Sequence, residues 1–127
     1  MTATVAAYMF SALAAAVVAF QVALAFGMPW AELTWGCRFP GKLPGRMRAV
    51  AVVTALLLIV FAVIVLARTG LVLPGWESTS RTVVWVVVAY AALGVVANAA
   101  TPSRWERIIW LPVILVMLGC SLIVALS

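Results

Sequence analysis

The side chains that could carry chemistry are few. With no His and no Asp in the chain, the carboxylates are Glu32, Glu77 and Glu106 and the thiols are Cys37 and Cys120. A metal centre needs several converging His, Cys or carboxylate ligands, and no stretch has that spacing; no metal or other cofactor is expected. Gly-Met-Pro-Trp and the Pro-Gly pairs have none of the pattern of a phosphate-cradling glycine loop. The notable constellation is basic: Arg38, Lys42, Arg46 and Arg48 in one segment, Arg104 and Arg107 in another, with Glu32 and Glu106 among them. Such a cluster suits a phosphate or an anionic headgroup, and Arg48 and Arg107, each just before an apolar run, are the best placed. Its simpler role is to set membrane topology and solvate loops.

The elements that must position these residues follow from composition. Of 127 residues, 68% are hydrophobic and 9% charged, whereas a soluble domain is about half apolar and a quarter charged. That excludes a soluble globule, and the apolar excess excludes disorder. Four uncharged runs are each long enough for the ~20 residues that cross ~30 Å of hydrocarbon as a helix. Unbroken apolar runs without polar alternation read as helices rather than barrel strands. The expected architecture is an all-α, polytopic membrane protein: one four-helix transmembrane domain with helices near 3–27, 49–67, 82–100 and 108–126. A cleavable signal peptide needs basic residues ahead of a short apolar core. The first run has no Lys or Arg before Arg38, so it is read as a retained helix.

Basic residues set the orientation. Loop 28–48 carries four and loop 101–107 carries two, while loop 68–81 has only Arg68 and Arg81. By the positive-inside rule the first two loops face the cytoplasm, and both termini and loop 68–81 face outward, in a plasma membrane. Trp30, Trp35, Trp105 and Trp110 fall near the inner boundary and Trp76 and Trp85 near the outer one, as interfacial belts do. Cys37 and Cys120 then sit at different depths and should not pair, since a disulfide needs Cα atoms within ~7 Å. Three Pro-Gly pairs, at 40–41, 44–45 and 74–75, favour type II turns. Loop 28–48 should lie as a turned segment in the headgroup region, with Trp30, Trp35 and Phe39 dipping toward the acyl chains.

Inside the spans no group is ionised, which disfavours an ion path and, above all, proton-coupled export of the small multidrug type, which uses a carboxylate in its first helix. Gln21 and Asn98 both belong to the inner half and are expected to hydrogen-bond across helices, worth about 0.6 kcal/mol on average. Ala7, Ser11, Ala15, Ala19 and Ala23 recur every fourth residue, a narrow ridge along which the first helix should pack on another helix.

Around Pro29-Trp30-Ala31-Glu32-Leu33-Thr34-Trp35-Gly36, then Phe39-Pro40-Gly41 and Leu43-Pro44-Gly45-Arg46-Met47-Arg48, the chain resembles a group of small, uncharacterised bacterial four-helix membrane proteins. The likeness extends over most of the chain, including Asn98 and the 103–107 segment. It implies no activity, but marks loop one, with Glu32 and Trp35, as the distinctive feature. The expected function is an integral protein without catalysis of its own: an accessory or structural subunit, or a scaffold contacting membrane lipids, preferentially anionic ones of the inner leaflet. The expected assemblies are a homo-oligomer built through helix one or a larger membrane complex. Nucleic acid is not an expected partner despite the basic charge, because so little chain lies in water. The alternatives are an oligomeric small-solute transporter or channel and, third, an enzyme acting on lipid phosphates.

Overall fold

The computed structural model describes the chain except residues 35–37 and 40 and the side chain of Glu32. Four long helices dominate: α1 (Ala3–Ala25), α2 (Gly45–Arg68), α3 (Glu77–Ala100) and α4 (Leu111–Leu126). A π-helical turn, Glu106–Trp110, leads into α4, and a 3-10 turn, Ala31–Leu33, lies in the first loop. All four helical stretches are long and apolar enough to cross a membrane. They form an up-and-down bundle in which α1 and α3 each pack on both α2 and α4, and the diagonals touch little. The chain is therefore a multi-pass, all-α membrane protein with two ends, called here the basic end (loops 26–44 and 101–105) and the far end.

Helix ends follow local chemistry rather than the limits of the apolar runs. α1 stops two residues before the expected 27 because Gly27, at φ 91°, closes a Schellman motif: its N–H bonds Leu24 O at 3.1 Å and that of Met28 bonds Ala23 O at 3.1 Å. Only Gly takes that backbone geometry without strain, and α2 ends the same way at Gly70. At the other end α2 begins a turn earlier than expected. Pro44 (φ −58°, ψ 157°) is its N-cap and Gly45 its first helical residue, so this Pro-Gly pair starts a helix rather than forming a type II turn. The 74–75 pair does form that turn, with Gly75 at φ 91° and Trp76 N–H bonding Leu73 O at 3.1 Å. α3 starts five residues early at Glu77, an acid favoured by the positive end of the helix dipole, whose Oε2 accepts from Gly75 N–H at 3.0 Å. In the turn before α4, Leu111 N–H reaches back five residues to Glu106 O. The wider turn accommodates Pro112, which has no N–H to give and would crowd the carbonyl four residues earlier.

Packing is uneven along the bundle axis. The main core fills the far half, where Phe10, Phe61, Val65, Val84, Met117 and Val124 from all four helices interlock. At the basic end a smaller cluster joins Leu24 of α1, Ala31 and Leu43 of loop one and Ala51 of α2, leaving α3 and α4 out. Elsewhere large apolar side chains turn outward: Val53 is 63% exposed, Leu93 70% and Val96 65%. Water would penalise that surface, whereas acyl chains are as apolar as leucine and leave helix association to close packing. Trp30 and Trp105 are exposed toward the basic end, Trp76 and Trp85 toward the far end.

The expected α1 ridge is not the intrachain packing face. Of Ala7, Ser11, Ala15, Ala19 and Ala23, only Ala7 is buried, and Ala15 and Ala19 are exposed. Four residues advance a helix by about 400°, so an every-fourth series drifts some 40° per step and leaves the face on which it started. The face that packs is Ala6, Ala7, Phe10 and Ala14, continued by Val17 and Leu24.

Candidate functional site: a basic collar and the cavity beneath it

Loop one folds onto the basic end. Ala31 N–H bonds Gly41 O at 3.0 Å, Leu43 is buried to 2%, and Phe39 packs with the small cluster. Phe20 of α1 stacks on Trp30 (6.5 Å, 6°) and contacts Trp110 at 4.7 Å. The Trp110 indole N–H donates to Leu33 O at 3.0 Å across 77 residues of sequence, fastening the loop to the approach to α4. Of the loop candidates, Trp35 and the Glu32 side chain lie outside the described residues, as does Cys37. Cys120 is buried within α4.

The six basic candidates gather at this end but divide in role. Arg38, Lys42, Arg46, Arg104 and Arg107 are exposed. Arg48 is half-buried: its Nε donates to Leu43 O at 3.0 Å and its guanidinium lies over Gly27, where a Cβ would meet Nη2 at 3.1 Å. Arg107 Nη1 donates to Thr101 O. The two arginines judged best placed for a headgroup are therefore those that brace the loops, and Lys42, Arg46 and Arg104 are the more outward members. Around Arg107, Ser103 (1% exposed) offers its Oγ to Glu106 N–H at 3.4 Å, a helix N-cap, and Glu106 is itself only 8% exposed.

Beneath this collar lies a cavity of about 360 Å³, walled by all four helices. It is there because the layer between the two cores is built of small or polar residues, among them Gln21, Thr54, Gly94, Ala97 and Asn98. A second hollow of about 470 Å³ shares these walls and extends past Thr34 to Arg38, Thr101 and Glu106. On the far side its wall includes Tyr90, whose ring meets that of Phe61 edge to face at 5.0 Å.

Gln21 and Asn98 thus meet at one cavity, but not through a bond across helices. Asn98 Nδ2 donates to Gly94 O of its own helix at 2.7 Å, and Gln21 has no hydrogen-bond partner among the described residues. Thr54 likewise donates within its helix, to Val50 O at 2.9 Å, as do Ser11 and Ser121. Polar side chains in a span meet a carbonyl three or four residues back without any neighbour having to be in register. The cavity itself escapes sequence reading, although the clustering of polar and small residues at matching distances from the helix ends is a usable signal. Thr34, from outside the apolar spans, and Trp110, at the start of the fourth, complete its wall. No protein-family model, curated protein or solved structure matches the chain.

Proposed function

We propose that this chain is a lipid-contacting accessory or scaffold protein of a bacterial plasma membrane, without catalysis of its own. Its basic collar faces the cytoplasm, and both termini face outward. The observation that carries the reading is the gathering of Arg38, Lys42, Arg46, Arg104 and Arg107, all exposed, at one end of the bundle beside exposed Trp30 and Trp105. Each basic residue near an anionic surface is worth about 1 kcal/mol, so even three acting together discriminate strongly between anionic and zwitterionic headgroups. The excess of basic residues in loops 28–48 and 101–107 over loop 68–81 supports the orientation.

Reconstitution into nanodiscs of mixed phosphatidylglycerol and phosphatidylcholine, followed by assay of the lipid retained on extraction, tests the collar. Phosphatidylglycerol should be enriched around the wild type, and the enrichment should vanish in a Lys42→Glu/Arg46→Glu/Arg104→Glu variant. Equal retention of both lipids by the wild type overturns the reading. A tag fused after Ser127 should be reached by antibody on intact cells or right-side-out vesicles; protection there, with exposure only from the cytosol, overturns the orientation. The cavity, which continues past Thr34 toward Arg38 and Glu106 at the basic end, favours a second reading, an oligomeric solute transporter. Solute flux in proteoliposomes that is lost on Asn98→Ala would support it.

A further inference from the structure

The cavity has a lateral mouth. Of its wall residues, those exposed to the surroundings are Leu93 (70%) and Ala97, on α3; the α1 and α4 contributions are half-buried or buried. Helices α2 and α3 make the slightest contact of the four neighbouring pairs. Their Phe61–Tyr90 contact marks where they close up, and from there toward the basic end Thr54 and Leu58 face Leu93, Gly94 and Ala97 across the hollow. A gap between two lipid-facing helices opens onto acyl chains, which gives a membrane lipid a route in beside the opening toward the basic end.

The wall chemistry narrows the occupant. Among the described residues the lining of the 360 Å³ chamber includes no Lys, Arg, Asp or Glu, so a charged group drawn in would be desolvated with no counter-ion from them. The wider hollow adds Arg38 and Glu106, of opposite sign. The chamber is not a plain slot for an acyl chain either. The Gln21 amide, Tyr90 hydroxyl and Thr34 hydroxyl have no partner among the described residues, and Asn98 and Thr54, with their donors turned to their own helices, still present acceptor oxygens. An alkyl chain would leave all of these unanswered, and polar groups shut away from water carry a penalty unless bonded. Carbonyl and hydroxyl oxygens on an uncharged head would answer them, with Phe20, Tyr90 and Trp110 providing flat apolar surface beside it. The volume lies within the range of small-molecule pockets, which are mostly apolar with a few placed polar groups.

We infer that this cavity binds one uncharged lipid, taken laterally from the bilayer between α2 and α3, with its oxygen-bearing head against Gln21 and Tyr90 and its tail leaving past Leu93 and Ala97. Two sources offer that chemistry, a prenylated quinone and a diacylglycerol. The site does not depend on the collar, so the two proposals can fail separately.

Native mass spectrometry of the delipidated full chain tests it with three probes: decylubiquinone, dioctanoylglycerol and dioctanoylphosphatidylglycerol. One neutral probe should form a saturable adduct of one per chain, and which of the two binds tighter identifies the head. Ala97→Phe, which plugs the mouth from an exposed position, should abolish the adduct. Gln21→Leu, which keeps the bulk and removes the amide, should weaken it about tenfold, the worth of one hydrogen bond. The Lys42→Glu/Arg46→Glu/Arg104→Glu variant should bind the neutral probe as the wild type does. The inference is overturned if neither neutral probe saturates at one per chain, or if phosphatidylglycerol binds more tightly than both. It is equally overturned if both Ala97→Phe and Gln21→Leu, folded by circular dichroism, bind like the wild type.

Discussion

Two glycines in the spans make a controlled experiment on how the helices are held together. A Cβ built on Gly94 of α3 would lie 3.0 Å from Cγ1 and 3.3 Å from Cδ1 of Ile114 on α4, whereas one built on Gly119 of α4 meets nothing within 4 Å. Comfortable carbon–carbon contact is about 3.5–4.0 Å, so Gly94→Ala requires the Ile114 side chain to give way by a few tenths of an ångström. Overpacking of this kind costs about 1–3 kcal/mol. Alanine also gains roughly 1 kcal/mol of helix propensity over glycine, but Gly119→Ala gains it equally, so the propensity contribution cancels in the comparison. Gly94→Ala should therefore be less stable than Gly119→Ala by about 1–3 kcal/mol. Adding Ile114→Ala to Gly94→Ala should recover part of the loss, giving a coupling of about 0.5–3 kcal/mol in a double-mutant cycle. Reversible unfolding in mixed micelles with rising dodecyl sulfate, followed by tryptophan fluorescence and far-UV circular dichroism, measures all of these variants. Equal stability of the two alanine variants would refute the claim that α3 and α4 meet closely at Gly94.

Other consequences are checked with the same unfolding assay or with simple probes. Phe10→Ala, in the core at 1% exposure, should cost about 3–5 kcal/mol, while Val53→Ala on the lipid face should change stability by less than about 0.5 kcal/mol; similar losses for both would mean that the far-half core is misplaced. Trp110→Phe keeps an aromatic ring but removes the donor to Leu33 O, so loop one should be cut several-fold faster by trypsin, with a stability loss of about 1 kcal/mol. Arg48→Gln should likewise loosen the loop, since the guanidinium over Gly27 and the bond to Leu43 O go together. Its effect on phosphatidylglycerol retention should be smaller than that of Arg46→Gln, the reverse of what the position of Arg48 just before an apolar run implies.

Much of this protein is written locally in its sequence. Whether a stretch such as Ala49–Ala67 crosses a bilayer depends on its own length and apolarity, so four spans and one basic end can be read without knowing any neighbour. Terminal motifs are nearly as local, as at Gly27, where one residue of special geometry ends a helix. What only the tertiary structure decided is rotation about each helix axis and the fate of each charge. In water a polar stripe reveals the outer face of a helix, but helices apolar on every side carry little periodic signal. The buried face of α1 thus ran through Phe10 and Ala14 and not along the alanine ridge. Arg48 and Arg107 turned back onto loop carbonyls for the same kind of reason: which arginine is left facing outward depends on where the chain folds over it. The cavity is the clearest case, since Gln21, Thr54, Tyr90 and Asn98 come from three helices and share a wall only because the bundle sets them at one level. No segment holds that information alone; it exists only in the register of helix against helix.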